Sequence, residues 1–410
     1  MDNPRSNTGV WLVLFLWIAL CLNYVDRQMV YSIFPALKAD LHFTDAQLGL
    51  TGSVFAWVYS LCMPIAGRLA DVVRRDRMIV ASIALWSLAT LGFGFSHSVF
   101  QFLFLRAVMG VTEALYYPAA VGLLAEAHSS ATRSKALGIH QSAQLAGIVA
   151  GGWYGGWMAD HVSWRAGFGL AAMAGLVYSV ILARLLPASH PRAQPAAGNP
   201  IRTAIELFHS PCYLALTAAF FAFCGMLWIF YAWLPSFLAE RYHLSMTASG
   251  FQATIFVQVA CGAGVVTGGA LADYFAKRIP AARFYVAAAG ILFCAPFGYL
   301  TFAAESLPAA RSYSSIYGFF SGLMVANVFA AAYDVITPRN FGLAAGVLNM
   351  IGGFAAAIMI FLAGHLKDSL GFAGLLKWVA LGCLLAALLL AATAGARFGR
   401  DRHKAMEAAT

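Results

Sequence analysis

Charge is what this sequence has least of. Asp, Glu, Lys and Arg make up 10% of its 410 residues, against 61% hydrophobic residues. A soluble domain carries about 25% charged residues, so the composition excludes one and points to a chain that sits in lipid. Other absences narrow the reading. The seven cysteines (Cys21, Cys62, Cys212, Cys224, Cys261, Cys294 and Cys383) fall in or beside apolar runs with no CxxC or Cys/His spacing, so they read as packing rather than as metal ligands or disulfides. There is no HExxH, no GxSxG and no nucleotide loop, so an enzyme is not expected, nor a cofactor or metal.

What is there is apolar sequence in lengths that cross a bilayer. At about 20 residues per span, helices are expected at 10–37, 46–70, 78–97, 100–126, 134–158, 164–187, 211–239, 246–272, 283–304, 312–336, 342–365 and 372–396. That is an all-α membrane protein of twelve transmembrane helices. The first run carries charge and lacks a cleavage site, so it reads as helix 1 and not as a signal peptide. The net charge of +9 would suggest nucleic acid in a soluble chain. Here the loop Lys and Arg gather on one side, and only Lys38, Arg165, Arg241, Arg311, Lys367 and Lys377 fall on the other. Both termini are therefore expected in the cytoplasm, with no nucleic-acid partner. The longest break, Ala188 to Ser210, is rich in Pro, Ala and polar residues and reads as a cytoplasmic linker. It separates an N-terminal six-helix bundle (1–187) from a C-terminal one (211–396), which a cytoplasmic tail (397–410) follows.

The two halves repeat each other. Gly67-Arg68-Leu69-Ala70-Asp71 is followed by Arg74, Arg75 and Arg77; Gly269-Ala270-Leu271-Ala272-Asp273, 202 residues later and at the same topological place, is followed by Lys277 and Arg278. Asp160 with Trp164 and Arg165, and Asp368 with Gly371, form a weaker echo. Two six-helix repeats with a site between them is the plan of secondary transporters.

From Val10 to Leu37 the only charges are Asp26 and Arg27, within Asn23-Tyr24-Val25-Asp26-Arg27. An ionised side chain at mid-membrane costs roughly 2.5 to 3.5 kcal/mol on insertion scales, so such residues face a cavity or a partner. Tyr24, Arg27 and Tyr31 share one stripe of the helix while Asp26 lies about 100° round. Arg27 can thus face a cavity, where its planar fork suits a carboxylate, while Asp26 faces a neighbouring helix. Helix 4 carries Arg106 and Glu113 two turns apart, on one face with Gly110, which admits a close neighbour. A carboxylate at that depth is either paired with Arg or protonated, which is the behaviour of a proton carrier. A static charge network including Arg106 and joining helices 1 and 4 would use the same residues. Helix 5 offers Gln141 and Gln144 on a shared face, able to donate to a carboxylate or between helices, and a packing seam of Gly147, Gly151 and Gly155. The second half has no Asp, Glu, Lys or Arg in its helix cores, which leaves it shape and neutral hydrogen bonds from residues such as Tyr231, Gln258 and Asn349.

Over essentially its full length the chain resembles the major facilitator superfamily, whose signature between helices 2 and 3 the paired Gly-x-Leu-Ala-Asp loops match. The resemblance implies a conformational latch at Gly67, Asp71, Arg75 and, in the second half, Asp273. The usual Asp-Arg-x-Gly-Arg continuation is altered to Asp71-Val72-Val73-Arg74-Arg75, which leaves the choice of latch arginine open. The helix 1 motif, Arg106-x-x-x-Gly110-x-x-Glu113, Tyr231-Ala232-Trp233-Leu234-Pro235-Ser236-Phe237-Leu238 and Gly346-Val347-Leu348-Asn349 resemble the anion:cation symporter family. That resemblance implies proton-coupled symport of a small organic anion such as a sugar acid. Asp26 and Glu113 would be the proton sites, Arg27 the anion ligand, and Tyr24, Gln144, Tyr231 and Asn349 pocket residues. The helix 1 motif and Asp45-Ala46-Gln47-Leu48-Gly49 are also similar to bacterial members of the spinster family, linked to lysolipid and sphingolipid export, and Tyr116-Tyr117 with a Phe-rich helix 7 suits a less polar pocket. The Gly-x-x-x-Gly-Pro antiporter signature is missing, since Gly147 to Gly152 holds no Pro. The expectation is a monomeric carrier of a bacterial-type inner membrane, driven by the proton gradient.

Overall fold

The computed structural model describes residues 4–189 and 200–407, and the chain there is helical throughout. In the first half the helices are α1 (Pro4–Ser32), α2 (Phe34–Leu41), α3 (Asp45–Val72), α4 (Arg75–Gly94), α5 (Val99–Ala114), α6 (Tyr116–Ala127), α7 (Ser130–His161) and α8 (Trp164–Leu185). The short α9 (Pro200–Leu207) leads into α10 (Pro211–Tyr242), α11 (Met246–Ala276), α12 (Ala282–Ala303), α13 (Leu307–Val335), α14 (Phe341–His365) and α15 (Lys367–Glu407).

Local chemistry sets the breaks. Pro35 has no N–H to give and crowds the preceding turn, so α1 ends at Ser32 and α2 restarts beyond Ile33. Helix 4 of the sequence reading is two pieces, α5 and α6, meeting at Leu115 three residues before Pro118. A capping box opens α3: Thr44 Oγ1 accepts from Gln47 N at 3.2 Å, and Gln47 Oε1 accepts from Thr44 N at 3.0 Å. Gly371, at φ 66°, interrupts α15 in a conformation that only glycine adopts freely.

Eleven stretches among the described residues are long and apolar enough to cross a membrane. The twelfth expected span, 134–158, lies in α7, which is long but diluted by Gln141, Gln144, His140 and its glycines. Those glycines account for its packing. A Cβ on Gly147, Gly151 or Gly155 would come within 2.8 Å of α1 backbone at Cys21, Val25 and Met29. A second row, Gly152 and Gly156, meets the start of α11: a Cβ there would lie 2.5 Å from Gly250 O and 2.1 Å from Met246 O. At the end of this row Asp160 accepts from Met246 N (3.2 Å), Thr247 N (2.7 Å) and Thr247 Oγ1 (2.6 Å). The first turn of α11 has no acid of its own, so α7 supplies the carboxylate that its N–H groups favour.

These contacts explain where the chain divides. One compact unit comprises Met1–Ala196 and Tyr231–Thr254, the other Ala197–Phe230 and Ile255–Thr410, so the division runs through α10 and α11. In the second unit Gly318 and Gly322 of α13 seat against α11 at Val257 and Cys261, and buried Asp401 of α15 holds the start of α10 through Ser210 Oγ (2.8 Å) and Cys212 N (2.9 Å). The seam predicts opposite signs for one substitution at two sites. Gly156→Ala should cost about 1 to 3 kcal/mol by overpacking and lower the melting temperature in detergent by several degrees. Gly138→Ala, whose Cβ meets nothing within 4 Å, should hold or raise it through helix propensity; equal shifts would refute the seam.

Candidate functional site

One turn of α1 lies at the centre of a cluster of buried charges, Asp26, Arg27, Arg106 and Glu113. Arg27 Nε donates to Glu113 Oε2 of α5 at 2.5 Å, and the two side chains are 8% and 0% exposed. The guanidinium lies 4.9 Å from the ring centre of Tyr24, 4.9 Å from Phe55 and 4.5 Å from Tyr59, an aromatic box whose ring faces favour a cation. Gly110, one turn before Glu113, makes room for α3: a Cβ there would sit 3.0 Å from Phe55 O. The second carboxylate oxygen, Glu113 Oε1, is buried with no hydrogen-bond partner.

Arg106 does not form the ion pair with Glu113. Wholly buried, it donates from Nε to Thr51 O (3.0 Å) and from Nη1 to Met109 Sδ (3.5 Å), and it stacks over Phe55 at 4.6 Å. It ties α5 to the second turn of α3 while its charge stays within reach of Glu113. Asp26 points the other way, toward α4. Its Oδ2 accepts from Thr90 Oγ1 at 3.4 Å, the Trp86 side chain lies beside it, and it makes no ion pair among the described residues.

Around Arg27 a polar strip continues onto α7. Tyr117 Oη donates to Gln141 Oε1 (3.1 Å), and Gln141 Nε2 donates to Gln144 Oε1 (2.7 Å), all on accessible side chains. Tyr59 and Tyr117 both neighbour Tyr24, so the strip runs from Arg27 to Gln144 within one unit. Tyr59 and Phe55 escape a sequence reading because a ring in an apolar helix looks like packing. Tyr231 belongs to this unit too, its backbone O held by Gln28 Nε2 at 2.9 Å. Asn349 lies in the other unit, exposed, its Nδ2 donating to Ala345 O of its own helix at 3.1 Å.

The residues expected to form a latch belong to a repeated triad. Arg75, not Arg74, is the buried arginine: it donates to Ala70 O (3.0 Å) and Asp71 Oδ1 (3.4 Å) and pairs with Glu126 at the end of α6. Gly122 leaves it room, since a Cβ there would come within 2.7 Å of Arg75 Nε. Arg74 turns to Asp76 instead, at 2.6 Å. In the second unit Arg283 reaches Asp273 (3.4 Å) and Asp334 (2.8 Å). Lys277 and Arg278, the basic residues that follow Asp273 most closely, are not in that triad. Gly67 has nothing within 4 Å of a would-be Cβ.

These pairs fix the register of the repeat. Arg283 follows Arg75, and Asp334 follows Glu126, by 208 positions. The same step carries Gly110 to Gly318, which packs on Val257 as Gly110 packs on Phe55, and it carries Glu113 to Ser321. The step that carries Glu113 to Ser321 carries Met109 to Tyr317, which stacks on Phe230 of α10 at 3.9 Å. A hydroxyl thus stands in the second unit where the first has a carboxylate.

A twelve-span helical chain built as two related bundles, with an arginine–carboxylate cluster buried in one of them, has the architecture of a secondary carrier. The chain belongs to the Major Facilitator Superfamily, whose family model matches residues 16–359. A D-galactonate transporter of Escherichia coli O6:H1 is 23% identical, the match covering 92% of this chain and 93% of that one. A probable sulfoacetate transporter of Cupriavidus necator is 28% identical, covering 85% of each. A spinster homolog 1 of Xenopus tropicalis is 26% identical over 75% of this chain and 63% of its own. Among solved structures, a bacterial homolog to the human lysosomal transporter Spinster, in an inward-facing and unoccupied conformation, matches with TM-score 0.75 and 20% identity over 98% of both chains, a likeness of fold.

Proposed function

We propose that the protein is a proton-coupled symporter of small organic anions, with sugar acids as the substrate class, working by alternating access in a bacterial-type inner membrane with both termini in the cytoplasm. The observation that carries the reading is the Arg27–Glu113 pair in its aromatic box. Taking two charges out of water costs several kcal/mol per ion, and their mutual attraction only offsets it. A proton on Glu113 removes the counter-charge of Arg27, and a substrate carboxylate then completes the guanidinium through its planar fork. Asp26, held by the neutral Thr90 and Trp86, is the second proton site because it takes up a proton without breaking an ion pair. Tyr24, Gln141 and Gln144 offer hydroxyl and amide groups for the hydroxyls of a sugar acid; Tyr231 and Asn349 complete the assignment from the second half. The relatives named for D-galactonate and sulfoacetate are carriers of small anions, which supports the substrate class.

The test is uptake of labelled D-galactonate and D-glucuronate into proteoliposomes under an inward proton gradient and a negative interior potential. Accumulation that collapses with a protonophore is expected. A second reading, proton-linked transport of a lysolipid or similar amphiphile, is favoured by the spinster relative and fold likeness; uptake of labelled lysolipid with no sugar-acid flux would replace the first reading with it.

The triads at Arg75 and Arg283 are the conformational latch in this reading. Arg75→Gln leaves Glu126 and Asp71 without their cation, and a lost charged hydrogen bond is worth about 1.5 to 3 kcal/mol. Turnover should change severalfold while the dissociation constant for D-galactonate stays within about twofold, since a binding residue would move both. An equal loss in affinity would remove Arg75 from the latch.

A further inference from the structure

Two buried atoms on facing helices lack a hydrogen-bond partner where the chemistry most needs one. Glu113 Oε1 and Asn23 Nδ2 are both shut off from solvent and unpaired, and the Asn23 side chain lies against the Glu113 carboxyl. Asn23 is 1% exposed and sits one helical turn before Arg27, so the two side chains leave α1 on the same face. Glu113 has two oxygens; Arg27 takes Oε2, and Asn23 is placed for Oε1. A buried amide and carboxyl left unpaired would each cost about 1 to 3 kcal/mol.

We propose that Asn23 is a positioning residue for Glu113, holding its carboxyl in both protonation states while Arg27 holds it in only one. Arg has donors and no acceptor, so it serves the carboxylate alone. An asparagine amide has both: its NH2 donates to the carboxylate, and after a half-turn its Oδ1 accepts from the protonated acid. A proton from the aqueous phase forms an O–H bond on Glu113, the Arg27–Glu113 hydrogen bond breaks, Arg27 turns to the substrate carboxylate, and Asn23 keeps the acid in place so that Arg27 finds it again when the proton returns to water. The charged and titratable groups about that carboxyl are Arg27, Asp26, Tyr24 and Tyr31 from α1 and Arg106 from its own helix, with Tyr59 of α3 facing Arg27. The inference rests on the reading of Glu113 as a proton site, and the experiment separates the two.

Infrared difference spectra of the purified full chain, taken between pH 4 and pH 9 without substrate, report the C=O stretch of any carboxyl that gains a proton; the band absent from Glu113→Gln is that of Glu113. In Asn23→Leu this band should move to higher frequency, as an acid carbonyl does on losing a hydrogen bond, and in Asn23→Gln it should return toward the wild-type position. Proton-driven uptake of D-galactonate should fall about tenfold in Asn23→Leu, the effect of one hydrogen bond near 1.4 kcal/mol, with partial recovery in Asn23→Gln. A Glu113 band unmoved in a folded Asn23→Leu overturns the role of Asn23 alone. No titrating Glu113 band in the wild type overturns the proton-site reading beneath it. Should Asn23→Leu fail to fold, Asn23→Ala, which removes the amide without adding bulk, carries the same spectral test.

Discussion

Replacing Asp26 with asparagine is expected to abolish the accumulation of D-galactonate that a membrane potential drives while leaving counterflow between its two pools intact. Asparagine is nearly isosteric and keeps a carbonyl for Thr90 Oγ1, so the 3.4 Å contact with α4 and the fold survive. What is lost is one titratable site. Two protons carried with one monoanion move one net charge, and each charge crossing 100 mV supplies about 2.3 kcal/mol, roughly a fiftyfold gradient at 1.4 kcal/mol per decade. Removing a proton makes the cycle electroneutral, so a negative interior no longer drives uptake. The check is steady-state uptake in proteoliposomes with and without a valinomycin-set potential, beside exchange measured with no gradient. Potential-driven accumulation preserved in Asp26→Asn would end the two-proton assignment; exchange lost as well would make Asp26 a structural residue.

Replacing Arg27 with lysine is expected to weaken D-galactonate binding by roughly 10- to 150-fold, the worth of a charge-assisted hydrogen bond at about 1.5 to 3 kcal/mol. The charge is kept, but an ammonium is a point donor on a shorter, more strongly hydrated arm. It cannot both reach Glu113 Oε2 and lie flat among Tyr24, Phe55 and Tyr59, each 4.5 to 4.9 Å from the guanidinium. Arg27→Leu goes further, leaving Glu113 buried and unpaired, which costs about 3 to 5 kcal/mol in broken buried pairs and should appear as a lower melting temperature. Isothermal titration with D-galactonate, read beside melting, separates the two effects. Binding unchanged in a stably folded Arg27→Lys would place the anion elsewhere.

The fold is legible in the sequence because lipid imposes a simple rule: apolar runs of one length, broken by prolines and basic loops. Even α7, too polar to pass on hydropathy, is legible from its place between flanking spans and from the glycine row toward α1. Its other row, Gly152 and Gly156, is not, because its partners Gly250 and Met246 lie some ninety positions away and nothing local marks the pairing. In the charged cluster Asp26, Arg27 and Glu113 stand out as lone charges in apolar sequence. Which of Arg27 and Arg106 meets Glu113 is settled by side-chain direction, about 100° per residue, and no spacing argument across two helices resolves it. Phe55 and Tyr59 are invisible for a different reason, since each is an ordinary residue that acquires meaning only beside Arg27; Asn23 is legible as part of the helix 1 motif, but its place against Glu113 is not. Arg283 is hidden by six extra residues in its loop, which displace it from where Arg75 stands.

The register of the repeat places unlike chemistry at like positions. Ser321 stands where Glu113 does, on a helix that meets its neighbour through the same kind of glycine contact, Gly318 on Val257 as Gly110 on Phe55. The first unit thus has a carboxylate where the second has a hydroxyl, while both have an arginine triad. The second half is therefore a background, within the same chain, into which a carboxylate can be written as Ser321→Glu and the cost of burying it without an arginine measured.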